Sequence, residues 1–264
     1  MKKYITSASI AFGEYFVYRL NFILWRVRNI LSVLMMYFLW HAVYLTRIDM
    51  FTYTRESMLT YILLIIFVGS VVLSTRAYKI AEDITTGNLK TFLLQPINYL
   101  GVALSKEVTD KLINITFSLV EFAILFIVLH PPLVLPQSMG TLFLFAIALF
   151  LGASLYFEFG VILSCIGFWS REVWAPRFLF YIIVTFLSGM YFPLDIVEGP
   201  LGVVLTLLPF GYLIYFPIAV FLERLPPSML LNGFFLSLLW LLVLSLVSHK
   251  MWQKGLRTFT AEGS

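Results

Sequence analysis

Two carboxylates stand inside long apolar runs: Glu121 in "SLVEFAILF" and Glu158 in "GASLYFEFG". An acidic side chain at the centre of a lipid-facing helix costs about 2.5–3.5 kcal/mol or more, so both are expected to face protein or a wet cavity. Their chemistry is then either contact with a bound polar group or proton, or a hydrogen-bonded tie between helices. Other chemistry is sparse. His41, His130 and His249 are scattered, and no H-E-x-x-H or comparable metal spacing occurs. Cys165 is the only cysteine, which excludes an intrachain disulfide; it reads as a small packed apolar residue, not a nucleophile. No G-x-S-x-G and no G-x-x-x-x-G-K-[ST] phosphate loop is present, so the chain does not hydrolyse ATP itself.

The elements that must hold those carboxylates follow from composition. Of 264 residues, 61% are hydrophobic and 12% charged, and Phe alone occurs 26 times. A soluble domain carries about 25% charged residues. The bilayer is therefore the solvent this chain is built for. The net charge of +4 does not indicate a nucleic-acid partner, because the basic residues lie beside apolar spans where lipid headgroups explain them. Lys2 and Lys3 open the sequence, but Glu14 and Arg19 interrupt any apolar signal region, so no cleavable signal peptide is expected.

Apolar runs long enough to cross the membrane fall at 30–45, 58–74, 112–129, 139–166, 174–192 and 229–247. A further run, 201–222, is broken by Pro209, Gly211 and Pro217. Prolines at that spacing remove helical hydrogen bonds, so a re-entrant pair of short helices is expected there, within an outer element covering 193–228. With six spans and a cytoplasmic N-terminus, 15 Lys and Arg lie inside. Only Arg47, Arg55 and Arg224 lie outside. That bias fixes both termini in the cytoplasm. The fold class is thus an all-α polytopic membrane protein with six transmembrane helices.

Residues 1–28 read as an amphipathic interfacial helix preceding a single membrane domain over 29–264. Ile5, Ala8, Phe12, Tyr15, Phe16 and Phe22 recur at helical spacing. Lys2, Lys3, Arg19, Arg26 and Arg28 suit an anionic leaflet. "GFWSREVWAPRF" pairs tryptophans with Arg171 and Arg177 as an interfacial aromatic belt. Ala148, Gly152 and Gly160 permit close helix packing in the fourth span.

The most detailed stretch is the cytoplasmic loop 76–111. "RAYKIAEDITT" contains no breaker and is expected to continue the second span. Gly87 suits a helix C′ position and Asn88 an N-cap. Leu89, Phe92, Leu93 and Pro96 then form one apolar stripe, and Pro96 ends the short helix. Asn98 caps the next helix, which runs into the third span. Such a helix either lies flat on headgroups or docks a soluble partner in a groove.

"IAEDITTGNLKTFLLQPINYL" resembles the first cytoplasmic loop of permeases of the type-2 exporter class of ABC transporters, in a bacterial subgroup whose permeases often occur as non-identical pairs. Glu82, Asp83, Gly87, Leu89, Leu93, Leu94 and Pro96 match that loop; Gln95 stands where the subgroup often has Arg. The ending "MWQKGLRTFTAEGS" and the segment "SGMYFPLDIVEGPLGVVLTLLPFGYLIYFP" resemble the same subgroup in order. The resemblance implies a permease in the bacterial cytoplasmic membrane, paired with a second, identical or homologous, permease. Its motor would be a cytosolic ATPase dimer binding ATP and Mg, with no cofactor in this chain. Glu82, Asp83, Gly87, Leu89, Phe92, Leu93 and Pro96 would form the coupling helix, Glu121 and Glu158 the translocation path. The cargo implied is an amphipathic or hydrophobic compound for export. A secondary transporter would need internal repeats, which are not evident, and an intramembrane enzyme a convergent catalytic cluster. A structural membrane protein is the remaining alternative.

Overall fold

A computed structural model describes residues 2–17, 19–46 and 52–259; Arg47, residues 260–264 and the side chains of Lys2 and Phe16 lie outside the described residues. In chain order the helices are α1 (Lys2–Val17), α2 (Arg19–Thr46), α3 (Arg55–Val72), α4 (Tyr78–Thr85), α5 (Leu89–Leu93) and α6 (Tyr99–Leu129). They continue with α7 (Met139–Cys165), α8 (Trp174–Leu187), α9 (Gly199–Leu207), α10 (Tyr215–Phe221) and α11 (Pro227–Thr258). Of the described residues 81% are helical, and α2, α3, α6, α7 and α11 are each long and apolar enough to cross a membrane. It is an all-α polytopic membrane protein.

Local sequence sets most helix starts. Thr54 caps α3 by accepting from the Ser57 amide at 3.2 Å, Asn98 caps α6 through the Gly101 amide at 3.2 Å, and Ser138 caps α7 through the Thr141 amide at 3.1 Å. Each satisfies a donor that the first helical turn leaves open. Asn88 behaves differently from expectation. It has helical backbone angles and makes no side-chain cap; its carbonyl instead accepts from the Thr91 amide at 3.1 Å.

Helix α3 is the centre of the bundle. Its membrane-length window is 72% buried, against 17–28% for the other long helices. Leu59, Ile62, Val68 and Val72 pack into one apolar core with residues of α7 and α10. The outer helices present Leu31, Met35, Phe150 and Leu242 to their surroundings, as lipid-facing positions should.

Three expectations need correction. First, α3 does not continue through "RAYKIAEDITT"; it stops at Val72 and α4 starts at Tyr78. The corner is made by side chains of α6. Lys111 Nζ donates to the Val72 carbonyl at 3.1 Å and to the Ser74 carbonyl, and Glu107 accepts from the Arg76 amide at 2.8 Å. Such contacts satisfy the open carbonyls of one helix end and an amide near the next start, and no breaker residue is required. Second, residues 1–28 are not interfacial throughout: Tyr18, between α1 and α2, lies outside the described residues, and Arg26 of α2 is 4% exposed. Third, the run 174–192 is helical only over Trp174–Leu187. Those 14 residues span about 21 Å at 1.5 Å per residue, short of the roughly 30 Å apolar layer. Gly189 takes φ +88°, and a Cβ there would meet the Tyr61 hydroxyl at 2.7 Å. Tyr61 donates to the Gly189 carbonyl at 2.7 Å and the Tyr215 amide donates to the Ser188 carbonyl at 2.8 Å. The turn is thus locked onto α3 and α10 immediately after α8.

Residues 201–222 fold as α9, a 3-10 turn over Pro209–Tyr212, and α10. Residues Tyr215 to Val220 of α10 are all buried. Gly152 of α7 lets it approach closely: a Cβ there would lie 3.0 Å from the Tyr212 carbonyl oxygen. Gly160 does the same beside Ala77, so these small residues of α7 serve packing within the chain.

Candidate functional site

At one end of the bundle, α4, α5 and the start of α6 form a compact corner. Gly87, at φ +76°, turns the chain between α4 and α5. Leu89 is 0% exposed and packs with Ile80 and Ile84 of α4, Tyr99 of α6, Cys165 of α7 and Trp252 of α11. Phe92 packs against the same cluster and meets the Tyr99 ring edge-on at 5.1 Å. Tyr99 stacks on Trp252 at 5.4 Å and donates to Asp83 at 2.6 Å. The short helix is therefore seated on elements drawn from four longer ones.

The stripe expected on α5 divides. Leu89 and Phe92 face inward. Leu93 is 47% and Leu94 85% exposed, and Pro96 is exposed beyond them. The outward ridge is thus Leu93, Leu94 and Pro96. Leu89, expected to touch a partner, instead holds the ridge to the bundle. Helix α5 has only 5 residues, too short for a stripe at i, i+3, i+4 and i+7 to stay on one face. Glu82 is exposed on α4.

A row of polar residues on α6 lies behind this corner. Glu107, Asp110, Asn114, Ser118 and Glu121 recur at intervals of three and four and are all buried. Their partners come from three elements. Arg76, in the α3–α4 corner, donates to Asp110 at 3.3 Å and to Glu14 of α1 at 2.6 Å. Glu14 also pairs with Lys79, and Tyr15 donates to Asp110. Burial pushes the Glu14 carboxyl up, but Lys79 and Arg76 outweigh it and hold the group below its ordinary range. Burial likewise opposes the Arg76 charge, and Tyr15, Asp110 and Glu14 more than restore it. Buried charge is tolerated only with such pairing.

Glu121, expected in a translocation path, is 7% exposed and paired with Arg26 of α2 at 3.1 Å. Arg26 also donates to Ser70 of α3 and to the Asn114 carbonyl, each at 3.1 Å. This corrects the reading of Arg26 as a headgroup contact: it is 4% exposed. Glu158 accepts from Ser245 at 3.0 Å and Ser248 at 2.5 Å, tying α7 to α11. The two carboxylates are far apart in their bonding: one ionic, one held by hydroxyls. Neither lines the large cleft described next. The sequence signal for this network was the polar spacing from Glu107 to Glu121, which continues without a break from the loop helix into an apolar span.

That cleft has a volume of about 710 Å³ and opens between α1, α2, α3, α4 and α8. Its walls include Tyr15, Trp25, Arg28, Ser70, Tyr78 and Arg177. A second cavity of about 270 Å³ shares Thr75, Tyr78, Tyr156, Arg177 and Tyr181 with it and adds Trp174, Phe178 and Phe180. Among the described residues no group of histidine, cysteine or carboxylate side chains has the arrangement of a metal site.

A helical membrane bundle with an open cleft of mixed lining, and with a greasy ridge seated at one end on an apolar cluster in front of a charge network, has the parts of a transporter's membrane component. The chain belongs to the ABC-2 transporter family: the model described as "ABC-2 family transporter protein" matches residues 30–263. It is accordingly a multi-pass permease component of an ABC transporter. The match begins after α1, so Glu14 and Tyr15 lie outside the matched range. No curated protein matches the chain.

Proposed function

We propose that this chain is the permease subunit of an ATP-driven exporter in a bacterial cytoplasmic membrane, with both termini cytoplasmic. A second permease, identical or homologous, completes the path. A cytosolic ATPase dimer, binding ATP and Mg, drives it. The α4–α5 corner is the coupling element, with Leu93, Leu94 and Pro96 seated in a groove of the ATPase and Glu82 at its rim. Leu89, Phe92, Gly87 and Asp83 position that ridge. Helix α8 serves as the sixth crossing, completed by the turn at Gly189.

The single observation that carries this reading is the division of α5. Leu94, 85% exposed and about one turn and a half beyond the fully buried Leu89, leaves an apolar tip that water alone does not favour. Displacement of that tip is passed to α4, α6, α7 and α11 through one apolar cluster. Glu121 and Glu158 act on the path by holding its walls together.

The test is recovery of partners from native membranes with the tagged chain. Leu93→Asp removes ATPase recovery while leaving membrane abundance unchanged. Full ATPase recovery with Leu93→Asp contradicts the coupling role and returns the ridge to a headgroup anchor.

A further inference from the structure

The 710 Å³ cleft falls within the range of about 300–1,000 Å³ typical of small-molecule sites. Its charges are unequally spent. Glu14 and Asp110 are engaged by Arg76 and Lys79. Arg28, exposed at the mouth, and Arg177 also line the cleft, and neither has a carboxylate partner among the described residues. Arg177 is half-buried and lies over the Tyr78 ring at 5.2 Å. That ring contact orients the guanidinium without neutralising it. Glu82 is the remaining acid on the wall; it is exposed at the α4 rim, where water screens it.

The two cavities meet at Arg177. On one side the wall is mixed, with Asn29, Ser32, Ser70 and Asn114 set among Val33, Ile65 and Ile66. On the other it is aromatic, with Trp174, Phe178, Phe180 and Tyr156. Trp174 and Phe178 stack at 5.1 Å and remain exposed, so the aromatic side opens outward from the bundle. The arrangement asks for a molecule with an anionic head and an apolar tail, the head beside two free guanidinium groups and the tail against stacked rings. Guanidinium is the side chain best suited to a carboxylate, sulfate or phosphate head, because its donors form a planar fork.

We infer that this cleft binds an anionic amphiphile, with its head held by Arg177 and Arg28 and its tail in the aromatic cavity walled by Trp174, Phe178 and Phe180. This names the chemical class of cargo for the exporter proposed above and rests on that reading for its direction. The binding itself is independent of any ATPase. Two sources share this chemistry, a lipid of the bilayer and a compound carried across it.

The experiment uses the full chain in nanodiscs of phosphatidylcholine, with no ATPase present. A dansyl-labelled fatty acid is titrated in, and energy transfer from tryptophan is read, since Trp25 and Trp174 line the two cavities. The comparison probe carries the same tail on a quaternary ammonium. The expected result is saturable binding of the anionic probe, at least about tenfold tighter than the cationic one. Arg177→Gln weakens it by about tenfold, Arg28→Gln by less, and Arg177→Lys by an intermediate amount. Thermal unfolding of each variant separates lost binding from lost fold. Equal affinity for the two probes overturns the inference. So does unchanged affinity in the Arg177→Gln, Arg28→Gln double variant.

Mass analysis of lipids retained by chain purified from native membranes assigns the source. Anionic phospholipid present in the parent and lost in Arg177→Gln identifies a bilayer lipid. Anionic-probe binding without such retention identifies a carried compound. A failed titration leaves ATPase recovery through Leu93 intact, so the two proposals fail separately.

Discussion

The two ends of the bundle each carry a pair of short helices, and they are held by different forces. At the α4–α5 end, the corner rests on ion pairs and hydrogen bonds from Glu14, Arg76, Lys79, Glu107, Asp110 and Lys111. Its tip is exposed. At the other end, α10 is sunk into the main apolar core beside α3 and α7. Among the described residues the ion pair there is Arg224 with Asp195 at 3.5 Å, and the other polar ties are hydrogen bonds such as Tyr53 to Asp195 at 2.9 Å and Thr141 to Glu223 at 2.6 Å. Apolar burial is non-directional and close-packed, which suits a fixed plug. A charge network holds a corner in one discrete arrangement and can be re-paired, which suits an element that moves as a unit.

The largest expected break in that contrast is Glu107→Ala. It leaves the half-buried Lys111 without its carboxylate at 3.2 Å and strips the buried Arg76 amide and the Thr75 hydroxyl of their acceptor. Removing one member of a buried pair costs about 3–5 kcal/mol. Hydrogen exchange should rise sharply over 73–93 and stay low over 209–221. Equal acceleration at both ends would show one cooperative unit where two are described.

Gly233→Ala is the reciprocal break. A Cβ there falls 2.2 Å from the Phe216 ring, so α11 and α10 must separate. Overpacking of this kind costs about 1–3 kcal/mol. Exchange should rise over 209–221 with ATPase recovery unchanged; a lost ATPase contact would mean that the plug also governs the coupling corner.

Acidification gives the smallest effect. Glu14 has an ordinary value of 4.5 and is lowered in the fold. Its contribution is therefore present above 4.5 and is lost as pH falls through the lowered value. The pair is partly open to water, so the loss is less than about 1 kcal/mol. Exchange in α1 should rise in that acid window, and Glu14→Gln should abolish the pH dependence. A pH dependence that persists in Glu14→Gln locates the titration elsewhere.

Much of this arrangement was legible in the residues. The Asn98 cap and the long apolar runs placed their helices correctly, because those signals are local. The α5 stripe was legible as apolar, but not which leucines turn inward; that depends on Tyr99 and Trp252 arriving from distant segments. The break after Val72 was invisible for the same reason, since its cause is Lys111 and Glu107 on another helix. Glu121 was legible as a buried acid. Its partner was not, because Arg26 lies at a position that also suits a headgroup contact, and only the approach of α2 to α6 distinguishes them.

The central claim is that the outward face of α5, and not its inward face, meets a soluble ATPase. Photo-crosslinking in native membranes from a cysteine introduced in turn at Leu94, Leu93 and Leu89 and labelled with a photoreactive maleimide tests it most directly, with the buried Cys165 retained and the parent chain as the unlabelled control. ATPase adducts are expected from Leu94→Cys and Leu93→Cys and none from Leu89→Cys. Equal adducts from all three, or adducts to lipid alone, would contradict it.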